Sequence, residues 1–159
     1  MERRVTTELQ ELLNAGAFVG SYTHTLDGKK RVTIPSDWRE AAGEPVLFIL
    51  PGVNEKCLYV YTAREMAQRL EKVRTASVAN VQAQRFLRDF FSRADRVALD
   101  AQGRIRVKDA LLDYAGIINQ MLLVGVGSRF ELWSPESWNE QSSQLDQSKF
   151  AEAVQYIGF

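Results

Sequence analysis

One cysteine and one histidine in 159 residues leave several common chemistries without their parts. Cys57 alone cannot build an internal disulfide framework or a thiolate zinc site. His24 alone excludes a multi-histidine metal centre. No apolar run approaches the roughly 20 residues of a bilayer-spanning helix. The opening residues, MERRVTTELQELLNAG, lack the apolar stretch and small-residue cleavage site of a signal peptide. The expectation is a protein of a reducing, cytoplasmic compartment, with no metal, no cofactor, no membrane and no small-molecule substrate. The chain is long enough to bury a real core, as one domain or two very small ones.

Net charge is also missing: 20 basic and 20 acidic side chains cancel. The cancellation is uneven. Residues 1–63 sum to −1, residues 64–108 to +6 and residues 109–159 to −5. A neutral protein of this kind can still present a basic patch, and patches attract polyanions. Alternatively, the basic middle pairs with the acidic end, within one chain or between subunits.

What is present is an internal repeat at an offset of 73. TLDGKKRVTIPSDWREAAG (Thr25–Gly43) aligns with ALDAQGRIRVKDALLDYAG (Ala98–Gly116). Leu26, Asp27, Arg31, Val32, Ile34 and Gly43 meet Leu99, Asp100, Arg104, Ile105, Val107 and Gly116. Downstream, VLFILPG faces MLLVGVG, and LYVYTAREM faces FELWSPESW. Each copy reads as a short strand, a tight turn, a second strand, a short helix closed by a glycine, and two apolar strands. Asp27 with Gly28 in one copy, and Asp100 with Gly103 in the other, are the expected turn residues, the glycines supplying the positive φ of a hairpin. Strands with short helices in both halves point to a β-rich α+β barrel rather than a doubly wound sheet. The linker between the copies reads as helical. Thr62 to Glu65 has capping-box spacing, and Ser77 is placed to cap a second helix with a Phe86, Leu87, Phe90, Phe91 stripe. The expected organisation is an N-terminal extension over 1–17 with a candidate short helix, a first repeat over 18–63, a helical linker over 64–95, a second repeat over 96–138 and a polar, mobile tail over 139–159.

Catalytic signals are thin. His24 lies in an alternating strand without a nucleophile or carboxylate at a recognised spacing. Cys57 reads as an inert thiol. Gly125-Val126-Gly127 is a bare G-x-G that nothing extends into a dinucleotide fingerprint. No enzyme is expected. The repeated arginines are sharper. With Val32, Ile34, Ile105 and Val107 inward, strand alternation turns Arg31, Thr33, Arg104 and Arg106 outward. Lys29 and Lys30 crowd the first turn and Gln102 the second. Arginine can clamp phosphates or read guanine, and a two-stranded ribbon can enter the major groove. The competing reading makes Asp27–Arg31 and Asp100–Arg104 local turn braces.

Phe18-Val-Gly20, LDGKKRVTIPSDWRE, QRFLRDFF, LDAQGRIRV, LLVGVGSRFELW and Glu136-Ser-Trp138 occur in one order. Together they resemble the MraZ family of bacterial proteins, from about Ala17 to Gln141. The resemblance implies two AbrB-like swapped-hairpin units in a pseudo-symmetric barrel, with added helices and assembly into a homo-oligomeric ring. It further implies a nucleoid-associated transcriptional regulator that binds tandem DNA repeats in the promoter of a division and cell-wall gene cluster. The family's Asp-x-x-x-Arg motif falls on Asp27 to Arg31 and Asp100 to Arg104, and implies DNA contact chiefly through Arg31. Lys30 stands where the family usually has glycine, with Gly28 the candidate to carry the turn instead. The alternative on this scaffold is a structural or adaptor ring that has lost sequence-specific DNA binding.

Overall fold

The computed structural model describes residues 17–159. The first half runs β1 (Ser21–Thr25), β2 (Arg31–Thr33), α1 (Ser36–Ala42), β3 (Val46–Pro51) and β4 (Leu58–Thr62). Helices α2 (Ala63–Arg74) and α3 (Val81–Ser92) follow. The second half runs β5 (Asp95–Ala98), β6 (Arg104–Arg106), α4 (Asp109–Ala115), β7 (Gln120–Gly125) and β8 (Phe130–Trp133), and α5 (Pro135–Ser143) and α6 (Gln147–Ile157) close the chain. The expected element order therefore holds in both copies, and α1 and α4 end at Gly43 and Gly116 in the left-handed conformation. The N-terminal extension lies almost wholly outside the described residues.

Strand pairing differs from the simple hairpins read in the sequence. β1 does not pair with β2, nor β5 with β6. Six antiparallel strands form one sheet in the order β1-β7-β8-β4-β3-β5, and β2 pairs with β6 in a separate ribbon. Numbered within each half, the order is a palindrome, first-third-fourth-fourth-third-first: β1 of the first half, β7 and β8 of the second, β4 and β3 of the first, then β5 of the second. Each half thus lends its first strand to its counterpart, β1 to β7 and β5 to β3. The end strands β1 and β5 do not pair with each other, so the expected barrel is not closed.

Alternation along the central strands sorts side chains into two cores. Leu47, Ile49, Leu58, Val60, Phe130 and Leu132 join Val32, Ile34, Trp38, Ile105 and Val107 on one face. Leu50, Tyr59, Tyr61 and Trp133 join Met66 on the other, with Phe90 and Phe91 of α3 packed against them. The first core anchors the ribbon. Trp38, 2% exposed, stands 4.9 Å from Phe130 and 5.9 Å from Phe18 between ring centroids, and its Nε1–H donates to the Val19 carbonyl at 3.1 Å. Truncating such a tryptophan costs about 3–5 kcal/mol.

Three local readings need correction. Thr62 caps α2 by accepting from the Glu65 N–H, but the Glu65 carboxylate pairs with Arg69 at 2.8 Å instead of reaching back. Asn80, not Ser77, caps α3, accepting from the Ala83 N–H at 3.0 Å, while Ser77 accepts from Ala79 one turn earlier. The polar tail is helical: α5 crosses the expected 138/139 boundary, and α6 occupies most of the rest. Among the described residues no helix is long and apolar enough to cross a membrane.

Candidate nucleic-acid interface

The ribbon places the repeated arginines side by side. Arg31 stands opposite Arg106, and Thr33 opposite Arg104. Val32 and Ile105 between them are 1% and 0% exposed, which fixes the inner face, and alternation sends the other four outward. Like charges directly opposite one another destabilise a sheet pair, so packing gives no reason for Arg31 to face Arg106.

The two loops feeding the ribbon share one hydrogen-bond plan. Asp27 Oδ1 accepts from the backbone N–H of Lys29 and of Arg31, both at 2.9 Å, and Oδ2 accepts from Arg31 Nε at 2.7 Å. Asp100 Oδ1 accepts from the N–H of Gln102 and of Arg104, and Oδ2 from Arg104 Nε, all at 2.9 Å. Arg104 Nη1 also lies 3.7 Å from Asp27 Oδ2, joining the two motifs across the ribbon. The Arg31 N–H, reinforced by its guanidinium, holds the Asp27 carboxyl well below its usual range, at about 2. The Arg104 N–H and guanidinium lower Asp100 in the same way. Each loop then grips the opposite strand. The Lys30 carbonyl accepts from the Val107 N–H and the Gly103 carbonyl from the Ile34 N–H, both at 2.9 Å.

The loops part company at one residue. Gly103 has φ +75°, and Lys30, its counterpart, takes the same left-handed region at +61°. The turn has therefore not moved to Gly28, which is not among the positive-φ glycines. The Asp27 loop keeps its shape and carries a lysine in a conformation that costs an ordinary residue roughly 1–2 kcal/mol. Gly103 is also buried, because the Arg39 side chain of α1 lies over it. A Cβ there would sit 2.6 Å from Arg39 Cζ and 2.7 Å from Cδ. No sequence pattern singles out Arg39 as a site residue. Its 64-residue separation from Gly103 leaves no local pattern, and only the glycine at 103 hints at a close neighbour.

The structure thus brings Arg31, Arg104 and Arg106 onto one ribbon face, with Lys29 and Lys30 exposed at one end and Gln102 exposed at the other. Asp27, Asp100 and Gly103 hold the loops as expected; Gly28 does not. Over the two motifs and strands, five cations meet two carboxylates. No ion pair among the described residues joins the basic middle to the acidic end: Arg69–Glu65, Arg74–Glu71, Arg93–Asp89 and Arg129–Glu131 are all local. Elsewhere, a Glu55, Cys57, Glu131 cluster that the sequence did not announce brings a thiol and two carboxylates within 4.8 Å. Tyr59 O–H donates to Glu55, while Arg129 and Trp133 donate to Glu131. Burial, then the two carboxylates, pushes the Cys57 thiol far up, so it stays protonated.

Comparison with known proteins agrees with this duplication. The family model of the "MraZ protein, putative antitoxin-like" matches residues 17–89 and again 90–156. A "Transcriptional regulator MraZ" of Clostridium acetobutylicum is 41% identical over 142 residues, 89% of this chain and 99% of that protein. Proteins described in the same words from Clostridium tetani and Clostridium botulinum (strain Eklund 17B) are 37% and 39% identical with the same coverage.

Proposed function

Because the chain belongs to the MraZ family, we propose that it is a DNA-binding transcriptional regulator whose duplex-facing surface is the β2–β6 ribbon with its two loops. One observation carries the reading: Arg31, Arg104 and Arg106 share an outward ribbon face although packing disfavours their company. Arg31 and Arg106 would clamp phosphates or read guanine edges. Lys29, Lys30 and Gln102 would extend the contact along the backbone. Asp27 and Asp100 would aim the guanidiniums and compress the loops.

A ribbon three residues long per strand makes few contacts by itself. Assembly into a homo-oligomeric ring would combine them, since linked sites raise avidity by roughly 100- to 10,000-fold when the spacing fits. Tandem repeats in the promoter of a division and cell-wall gene cluster would match such a ring, which would act in the cytoplasm on the nucleoid. The adaptor reading has one observation in its favour. Arg31 and Arg104 each spend Nε on an aspartate, and their side chains are only 28% and 25% exposed.

Salt-titrated binding to the chain's own upstream DNA separates the two. A regulator shows log K falling linearly with log salt, by about 0.9 per phosphate neutralised, and prefers that DNA to a scrambled duplex. An adaptor shows no such preference.

A further inference from the structure

The two ends of the ribbon are not furnished alike. The Asp27–Arg31 end offers Lys29 and Lys30, and Lys108 follows the strand that Lys30 grips. At the other end the loop itself offers Ala101, Gln102 and Gly103, all uncharged. Arg39 lies against that uncharged loop. The repeat offset puts Leu112 at its place in the second half, a side chain only 3% exposed, so a helix at this position can pack with an apolar residue.

Arg39 is held in an unusual state. Its Nε is shut from solvent and, among the described residues, has no hydrogen-bond partner. Among the described residues no carboxylate stands within ion-pair distance of it; Asp100, the nearest in sequence to its contact, is taken by Arg104. The residue is half-buried, so part of its side chain still meets solvent. A guanidinium cannot shed its charge, and a partly desolvated cation without an anion is costly. A phosphate oxygen would remove that cost.

We propose that Arg39 is a phosphate-contacting residue of the nucleic-acid face, giving the Asp100–Arg104 loop the cation that Lys30 gives the Asp27–Arg31 loop. The assignment rests on the ribbon being the duplex-facing surface and extends it. With Nε screened, the contact is end-on through the Nη atoms. The bare Gly103 is what lets the guanidinium settle there.

Fluorescence anisotropy on a labelled duplex of the upstream region, over a series of KCl concentrations, tests this with Arg39→Leu, Arg39→Lys and Arg31→Ala. Arg39→Leu adopts the side chain already used in the second half. It is expected to keep its melting temperature, weaken binding equally on upstream and scrambled duplexes, and lower the salt slope by about 1. Arg39→Lys is expected to restore the slope. A slope unchanged in Arg39→Leu, or lost as fully in Arg39→Lys, overturns the assignment. Should Arg39→Leu prove unstable, Arg39→Gln, which removes the charge and keeps a polar side chain, takes its place with the same expected loss of slope and the same refutation. If Arg39→Leu alone is silent, the ribbon stands and only this assignment falls; if Arg31→Ala is silent too, the ribbon reading itself fails.

Discussion

The loops at Asp27–Arg31 and Asp100–Arg104 have the same hydrogen bonds and nearly the same backbone, yet one places lysine where the other places glycine. The plan therefore resides in the aspartate and the strand it feeds, not in the glycine. Two N–H donors and one guanidinium fix the Asp27 carboxylate, and the cross-ribbon bond from Val107 fixes the Lys30 carbonyl. Together these over-determine the turn and hold an L side chain at positive φ. The other loop needs its glycine twice, for φ and for the room Arg39 occupies.

The comparison can be pressed hardest at the arginines. Among the described residues, the Arg104 guanidinium has carboxylates of both Asp100 and Asp27 within 4.0 Å, whereas Arg31 has only Asp27. Arg31 is the freer cation, so Arg31→Ala should weaken DNA binding more than Arg104→Ala. A single contact is worth about 1–3 kcal/mol, multiplied through any oligomer, and gel filtration should show the assembly unchanged. Equal losses would erase the distinction between the loops.

Stability should respond in opposite directions at the paired positions. Gly103→Ala should destabilise by roughly 1–2 kcal/mol from backbone strain alone, with a further share from displacing Arg39. Denaturant midpoints of Gly103→Ala with and without Arg39→Ala separate the two parts. Lys30→Gly should stabilise by about 0.5–1 kcal/mol, because relief of the left-handed lysine outweighs the extra freedom glycine gives the unfolded chain. A loss of stability in Lys30→Gly would mean that the lysine side chain holds the loop.

Acid should unlock the loops unequally. Both aspartates titrate below their unfolded range, so what they contribute is fully present above the usual 3.8 and is lost as pH falls toward the folded value, about 2 for Asp27. Thermal melts between those limits should show a declining midpoint. Asp27→Asn should flatten the decline more than Asp100→Asn, because the Asp27 carboxylate also faces Arg104.

Much of this was legible beforehand. The repeat, the strand faces, the turn aspartates and the closing glycines all rest on local patterns, and all appear where the pattern put them. Strand partners were not legible. Alternation tells which face Val32 shows but not that β2 should meet β6 rather than β1. Gly28 drew the turn because glycine is the residue least opposed to positive φ, yet the carbonyl hooked by Val107 decides the matter from 77 residues away. Asn80 displaced Ser77 because both are good caps and only the onset of packing by α3 chooses between them. The Gln/Ser-rich tail concealed two helices because its composition suits an exposed helix as well as a loose chain. Arg39 was hidden for the reason already given: its contact is far away in sequence.

The palindromic strand order bears on how the molecule is born. When the first half leaves the ribosome, β1 and β2 have no partners, since β7 and β6 are not yet made. At about 5–20 residues per second, the 73 residues from Arg31 to Arg104 impose a wait of roughly 4–15 s. Throughout that interval the nascent polypeptide displays two bare strands, and a neighbouring chain translated from the same message could supply the missing edges.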